Sequence, residues 1–271
     1  MRKETFKLLI NKIVQFHNAT ILLFLTACCL LSSAYSFATE PPYLKDTSTI
    51  WVDSVLKSMT LDEKIGQLFM VAAYSNKDEA SYKTIDKYIN EYKVGGLIFF
   101  QGTPQKQAEL TNRYQAQSKT PLWVGFDGEW GLGMRLDNTI SYPRQLTLGA
   151  IDNTGLIYDM GKEIARQMKR IGIHINFAPD IDVNSNPNNP VINDRAFGDN
   201  KFGVVRRGLA YMQGMQDNKI LASGKHFPGH GDTDVDSHKD LPVLNHSLER
   251  LESVELYPFK QFIRYGVGSI M

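Results

Sequence analysis

Six continuous apolar runs that alternate with helical stretches constrain the fold of this chain more than any other feature of its sequence. A continuous apolar run predicts a strand buried on both faces, because a strand with one wet face alternates apolar and polar residues. Strands of this kind between helices form a parallel sheet that helices cover. The predicted strands are residues 67–72, 94–100, 121–126, 173–178, 220–224 and 267–271.

The stretches between these runs have helical features. Thr103 followed by Pro104 is typical of a helix start, because threonine caps well and proline suits the first helical position. Ser247 is the predicted cap of the last helix, which Pro258 should break or restart and Gly266 should end. The other predicted helices are residues 48–63, 77–92, 103–118, 154–171 and 202–218.

Two α/β architectures fit this pattern, an open doubly wound sheet and a (β/α)8 TIM-type barrel. The first strand-to-helix turn lacks the GxGxxG pattern of a nucleotide-binding sheet. A barrel carries its chemistry at the C-terminal ends of several strands. Polar residues follow three of the predicted strands, namely Asp127, then Asp180 and Asp182, then Lys225 and His226. We therefore predict a barrel, incomplete at the C-terminus because the chain stops in the sixth strand.

Residues 1–38 have the features of an export signal. A basic start precedes an apolar run over residues 19–31, which is too short to span a bilayer comfortably, and small residues precede a predicted cleavage after Ala38. Cys28 and Cys29, the two cysteines of the chain, lie inside this segment, so cleavage would leave no disulfide or thiolate metal site. Residues 39–271 are then the N-terminal part of a barrel domain, exported to the periplasm or outside the cell.

Two alternatives for the N-terminus stay open. Leu-Thr-Ala-Cys at residues 25–28 resembles a lipoprotein signal, which would leave Cys28 acylated, and an uncleaved segment would act as an anchor. Contact with a membrane is expected only in these two cases.

The overall composition excludes several classes of protein. With 42% hydrophobic residues and no internal repeat, the chain is neither disordered nor a solenoid. A formal net charge of +1 gives no support for a nucleic-acid partner, whose binding requires a basic surface.

The densest polar cluster spans residues 225–238 and contains three of the six histidines. Its glycines and proline predict a loop. One interpretation is a polar surface loop. A second is a metal site, and a third is a general acid/base pair made by Asp236 and His238, whose side chains project to the same side of an extended segment. The metal-dependent hydrolase would use His226, His230, Asp234 and His238.

Lys-His-Phe-Pro-Gly-His-Gly at residues 225–231, followed by Asp-Ser-His at 236–238, resembles the β-N-acetylhexosaminidase branch of glycoside hydrolase family 3. The resemblance covers about residues 50–271 and implies a (β/α)8-type catalytic barrel that needs no metal or organic cofactor. Four further segments match in order: 95–99, 125–127, 176–183 and 194–198.

The resemblance also implies a role for individual residues. His238 matches the general acid/base, and Asp236 matches its orienting partner. Most glycosidases use two carboxyl groups instead, so this pair distinguishes the branch. Five residues match positions that bind the sugar: Asp127, Arg135, Arg195, Lys225 and His226.

Two departures from the family pattern bear on these roles. Trp130 stands where many relatives have glycine, and it is expected either to stack on a sugar or to pack beside the site. The family's nucleophile is an aspartate after the next strand, and no residue of this chain matches it. Asp180 and Asp182 match structural positions, so neither is assigned as the nucleophile.

The resemblance implies an exo-acting, retaining glycosidase that releases terminal β-linked N-acetylglucosamine from peptidoglycan- or chitin-derived oligosaccharides. The 271 residues alone are expected to be inactive without the nucleophile. A phosphorylase or a β-glucosidase of the same family is the nearest alternative. A sugar-binding module without turnover is the alternative outside the enzymes.

Overall fold

Six parallel strands lie side by side in chain order, as the alternation of apolar runs and helices predicts. The computed structural model describes residues 39–45, 48–235 and 242–271. Within these residues the sheet does not close, and β1 and β6 are its edges. The strands are β1 Met70–Tyr74, β2 Gly96–Phe100, β3 Trp123–Phe126, β4 Ile175–Asn176, β5 Leu221–Gly224 and β6 Ser269–Ile270.

The helices lie mainly between consecutive strands. Short 3₁₀ turns add to them at Leu132–Met134 and Asn193–Arg195, both in loops that follow a strand. The α-helices of the described residues are α1 Ile50–Ser58, α2 Leu61–Gly66, α3 Glu79–Asn90, α4 Pro104–Gln117, α5 Gln145–Leu148, α6 Thr154–Arg170, α7 Lys201–Gln216, α8 Leu248–Ser253 and α9 Leu256–Arg264.

The predicted helix over residues 48–63 is wrong in its extent, because the chain forms two helices there. Thr60 accepts a hydrogen bond from the backbone N–H of Glu63 at 3.2 Å, and the Glu63 carboxylate accepts one from the N–H of Thr60 at 2.8 Å. This capping box starts a new helix, α2. Since α2 continues to Gly66, the first strand begins at Met70 rather than at residue 67.

A close crossing of α6 and α7 positions part of the loop after β3. A β-carbon on Gly214 would lie 2.2 Å from the carbonyl oxygen of Tyr158, so only glycine allows the two backbones to approach this closely. The crossing places Tyr211, which is fully buried and donates from its hydroxyl to the carbonyls of Gly128 and Glu129 at 3.3 and 3.1 Å. A helix contact thus fixes the backbone directly after Asp127.

Several predicted features lie outside the described residues. They are the export signal over residues 1–38 and the acid/base pair Asp236 and His238. Among the helices that the structure does describe, none has the length together with the apolar character that crossing a bilayer requires.

Candidate active site

Asp127, at the C-terminal end of β3, lies between two cations. Lys225, at the end of β5, donates from Nζ to Oδ1 of Asp127 at 2.7 Å. Arg135 donates to Oδ2 and also reaches the Asp127 carbonyl at 3.2 Å. The 3₁₀ turn at Leu132–Met134 brings Arg135 back toward Asp127, and its guanidinium lies 5.0 Å from the ring centre of Phe100. This turn therefore bridges the eight positions that separate Arg135 from Asp127 in the sequence.

Glu129 links Lys225 to Arg195, a role that no motif of the sequence predicts. Its side chain is 1% exposed and lies 2.7 Å from the Lys225 amine. Arg195 binds it through two parallel bonds, from Nη2 at 2.7 Å and from Nε at 3.0 Å. The signal for Glu129 was a second acidic residue two positions after Asp127 at the same strand end.

The charges of this network keep each other ionised. Burial would raise the pKa of Glu129, but Lys225 and Arg195 outweigh that effect and lower the pKa of this carboxyl below its usual range. Burial would lower the pKa of Lys225, but the carboxylates of Glu129 and Asp127 raise it. Buried charges are tolerated when they are paired and hydrogen-bonded, as they are here.

His226 is held as a neutral imidazole of one tautomer. Its Nε2 lies 3.1 Å from Nη2 of Arg195, and its Nδ1 lies 2.7 Å from Oδ2 of Asp182. Because a guanidinium only donates, Nε2 accepts and Nδ1 carries the proton that binds Asp182. Burial, together with the nearby cations Lys225 and Arg195, lowers the pKa of His226 to about 4. In this tautomer Nε2 can only accept, so donation to a sugar hydroxyl, which the resemblance implies, requires both that Arg195 withdraw and that Nε2 gain a proton.

Asp180 and Asp182, after β4, hold loops rather than face a substrate. Asp182 accepts from the backbone N–H groups of His226 and His230, at 3.2 and 2.7 Å. Asp180 accepts from the N–H of Asp182 at 2.9 Å, and its own backbone binds the Gln145 side chain. Burial and the charge of Asp182 raise the pKa of Asp180 well above its usual value. Both carboxyls are fully buried, which fits a structural position.

The start of the 225–238 loop is fixed against the loop after β4. Gly231 allows the contact, since a β-carbon there would lie 1.9 Å from the Val183 carbonyl oxygen. The His230 carbonyl accepts a hydrogen bond from the Asn189 amide at 2.7 Å. The Nδ1 atom of the His230 ring lies 2.5 Å from the Thr233 hydroxyl. The described part of the loop is therefore anchored as far as Thr233.

Two groups of side chains in the described residues are close enough to share a metal ion. One group is Asp180, Asp182 and His226, and the other is Asp232, His246 and Glu255. Neither group contains His230 or Asp234, which the metal-dependent alternative requires, and His238 lies outside the described residues.

Trp130 packs against Arg144, whose guanidinium lies 4.3 Å from the tryptophan ring centre. Arg144 also forms an ion pair with Asp194 at 3.1 Å. Of the two expectations for Trp130, this contact favours packing beside the site.

The structure thus gathers all five predicted sugar-binding residues, with Glu129, into one network. Asp127 binds Lys225 and Arg135 directly. Glu129 links Lys225 to Arg195, which contacts His226. Their role as sugar ligands stays a prediction.

Comparisons with known proteins agree on one family. Residues 60–271 match the model of the glycosyl hydrolase family 3 N-terminal domain. Beta-hexosaminidase A of Pseudoalteromonas piscicida is 37% identical over 193 residues, which cover 66% of this chain and 32% of that protein. The chain spans about a third to a half of the length of three curated relatives that it matches.

Solved structures are similar over most of the chain. A family 3 beta-N-acetylglucosaminidase from Paenibacillus sp. str. FPU-7 matches with a TM-score of 0.73 and 37% identity, over 79% of this chain and 42% of that one. The beta-glucoside phosphorylase BglX matches with a TM-score of 0.79 and 25% identity, over 87% and 42% of the two chains. These neighbours have barrel-type N-terminal domains, which confirms the predicted fold class.

The charge of Glu129 can be removed without changing its shape. Glu129→Gln leaves Lys225 and Arg195 without their shared partner, and removing one side of a buried ion pair costs about 3–5 kcal/mol. We expect the free energy of unfolding of the full-length protein to fall by that amount in urea denaturation. Asp194→Asn is the matched control, because its half-exposed pair with Arg144 contributes about 0–1 kcal/mol. Equal, small losses in both variants would contradict a stabilising network.

The pKa of His226 predicts how stability depends on pH. Its pKa of about 4 lies below the usual 6.5, so between these pH values the unfolded chain binds a proton at His226 that the folded protein does not bind. The contribution of His226 to the free energy of unfolding is fully present above pH 6.5. It falls by about 3 kcal/mol between pH 6.5 and 4. In His226→Gln this part of the decline should disappear from pH-dependent urea denaturation. A His226 ring that titrates near pH 6.5 by NMR would contradict the assignment.

Proposed function

The chain belongs to glycosyl hydrolase family 3, and from that premise we propose that the full-length protein is an exo-acting, retaining β-N-acetylglucosaminidase. The observation that carries the proposal is the network of Asp127, Lys225, Glu129, Arg195 and His226 at the ends of neighbouring strands. Relatives named beta-hexosaminidase support the same activity.

The free hydrogen-bonding capacity of the network suits a sugar. An ionised carboxylate offers about four lone-pair sites, and Lys225 and Arg135 use only part of those on Asp127. Asp127 can therefore still accept from two sugar hydroxyls. Lys225 has three N–H donors, of which Asp127 and Glu129 engage two, so the third can donate to a hydroxyl. Such bonds hold the ring and help to distort it toward the transition state.

The proposed reaction proceeds in two steps. His238 protonates the leaving oxygen while an aspartate nucleophile, which no residue of this chain matches, attacks the anomeric carbon and forms a glycosyl-enzyme. His238 then acts as a base and activates the water that releases the sugar. Asp236, two residues before it, accepts from one imidazole nitrogen and raises the basicity of the other. Neither step requires a metal or an organic cofactor.

The proposed substrates are carbohydrates with terminal β-linked N-acetylglucosamine, derived from peptidoglycan or chitin. This assignment rests on the sequence resemblance and on the features of an export signal in residues 1–38. We propose a location in the periplasm or outside the cell, with attachment through a lipid on Cys28 as the alternative.

Transfer of the sugar to phosphate is the second candidate. It is favoured by the similarity to a beta-glucoside phosphorylase. A neutral or cationic histidine can accommodate an anionic acceptor that a carboxylate would repel.

Product analysis distinguishes these candidates. The full-length protein, incubated with 4-nitrophenyl β-N-acetylglucosaminide in phosphate and in a phosphate-free buffer, should release free N-acetylglucosamine in both. Appearance of the sugar 1-phosphate would show a phosphorylase, and faster turnover of the matching β-glucoside would show a β-glucosidase. Binding of N-acetylglucosamine without any turnover would show a sugar-binding module.

The acid/base assignment predicts a separation of binding from turnover. His238→Ala should bind N-acetylglucosamine nearly as well as the unmodified protein while turnover slows by about 10²–10⁴-fold. Asp234→Asn is the control, because Asp234 is an exposed loop residue with no role in the proposed mechanism. If Asp234→Asn is inactive as well and a chelator abolishes activity of the unmodified protein, the metal-dependent alternative is correct.

A further inference from the structure

Tyr74 and Phe100 lie in the same row of the sheet as Asp127. The register of β1 with β2 places Tyr74 beside Phe100. One position beyond the last pair of β2 with β3, Phe100 comes beside Asp127. Because successive side chains of a strand point to opposite faces, the three residues of this row project to the same face of the sheet. Two aromatic rings therefore share a face with the carboxylate at the centre of the candidate site.

The opposite face of these strands is covered by helices. Phe99 and Phe126, one position before this row in β2 and β3, are fully buried. The centre of the Phe99 ring lies 6.4 Å from that of Tyr114 in α4. The row described above thus faces away from the helices. Tyr74 and Phe100 are the last residues of β1 and β2, and a barrel carries its binding site at this end of its strands.

A chain of contacts connects the two rings to the charged network. The ring centres of Tyr74 and Phe100 are 5.8 Å apart, and their planes are 32° from parallel. The guanidinium of Arg135, which binds Asp127, lies 5.0 Å from the centre of the Phe100 ring. Since β1 is an edge of the described sheet, this contact, and not exposure, links the aromatic pair to the site.

The aromatic pair retains surface that a ligand can contact. Tyr74 and Phe100 are both half-buried, unlike the fully buried phenylalanines of the opposite face. The amine of Lys77 lies 5.3 Å from the centre of the Tyr74 ring. Lys77 is exposed, and an exposed contact between a cation and a ring is weak enough for a ligand to displace.

A sugar needs an apolar surface as well as polar partners. A pyranose presents C–H groups between its hydroxyls, and Asp127 with Lys225 can bind only the hydroxyls. Ligand sites combine an apolar and aromatic lining with a few polar groups that fix orientation. Aromatic rings supply rigid contact area at a low cost in conformational entropy. Tyr74 and Phe100 add the apolar lining that the charged network lacks.

We propose that Tyr74 and Phe100 form an aromatic wall of the site, against which the C–H groups of the terminal sugar pack. The inference rests on the proposed function and adds to it two residues that bind the released sugar. The wall adjoins Arg135 and lies in the row of Asp127, both of which are proposed ligands of that sugar. It therefore contacts the terminal sugar and not the leaving group.

This position predicts which measurements change when the wall is removed. The affinity for free N-acetylglucosamine should fall, because the released sugar contains every group that the wall contacts. The values of kcat/KM should fall by a similar factor for a disaccharide and for an aryl glycoside, because the two substrates have the same terminal sugar.

The test compares Tyr74→Ala and Tyr74→Phe in the full-length protein. Calorimetry gives the dissociation constant of N-acetylglucosamine, and kcat/KM is measured on N,N′-diacetylchitobiose and on 4-nitrophenyl β-N-acetylglucosaminide. We expect Tyr74→Ala to weaken binding by about 5–20-fold and to lower both kcat/KM values by a similar factor. Tyr74→Phe keeps the ring and should bind the sugar within about twofold of the unmodified protein.

A second aromatic pair provides the matched control. Tyr88 and Tyr92, in α3 and the turn after it, have ring centres 6.0 Å apart, and the Lys87 amine lies 5.8 Å from the centre of the Tyr92 ring. Tyr92→Ala removes a ring of the same kind and should change neither binding nor turnover. An equal loss of affinity in Tyr92→Ala, or a loss in Tyr74→Phe as large as in Tyr74→Ala, would overturn the proposal.

The two levels of inference fail in different ways. If the unmodified protein neither binds N-acetylglucosamine nor releases it from either substrate, the proposed function is wrong, and the wall with it. If it turns over both substrates and Tyr74→Ala binds the sugar with unchanged affinity, or slows the disaccharide alone, only the wall is wrong. Should Tyr74→Ala fail to fold, Tyr74→Leu, which keeps apolar volume without a flat ring, decides the question, with binding weakened about threefold or more expected.

Discussion

The site depends on one buried carboxylate, that of Glu129. Burying the amine of Lys225 and the guanidinium of Arg195 together requires a shared counter-charge, since an unpaired ion in a protein interior is costly. Glu129 supplies that charge from the loop after β3, while its partners come from the loop after β4 and the end of β5. One ionised carboxylate thereby holds together segments that the parallel sheet has only brought near each other.

The remaining geometry follows from this pairing. Glu129 fixes Arg195, and Arg195 determines the tautomer of His226. In this tautomer the imidazole donates from Nδ1 to Asp182. Asp182 in turn accepts hydrogen bonds from the backbone N–H groups of His226 and His230, at the start of the 225–238 loop. These contacts fix the charged groups of the network relative to one another.

The order of the strands and the gathering of five polar residues were predictable, because strand ends in a parallel sheet meet at one edge and because the motifs match a known family. Glu129 was missed because its partners lie 66 or more positions away in sequence, and local patterns carry no information about such pairs. The two helices at residues 50–66 were missed for the opposite reason. Their capping box, Thr60 with Glu63, is a local signal that outweighs the helical periodicity around it. The row shared by Tyr74, Phe100 and Asp127 is again non-local, because it depends on how β1, β2 and β3 pair.

The crossing of α6 and α7 extends the site beyond its polar residues. Through Tyr211 it determines where the carbonyls of Gly128 and Glu129 lie, although no atom of the crossing comes from the loops that bear the charged groups. Heating that loosens these two helices would therefore also displace Glu129 from Lys225 and Arg195. The resistance of the α6–α7 crossing to heat and the geometry of the charged network are then coupled in this protein.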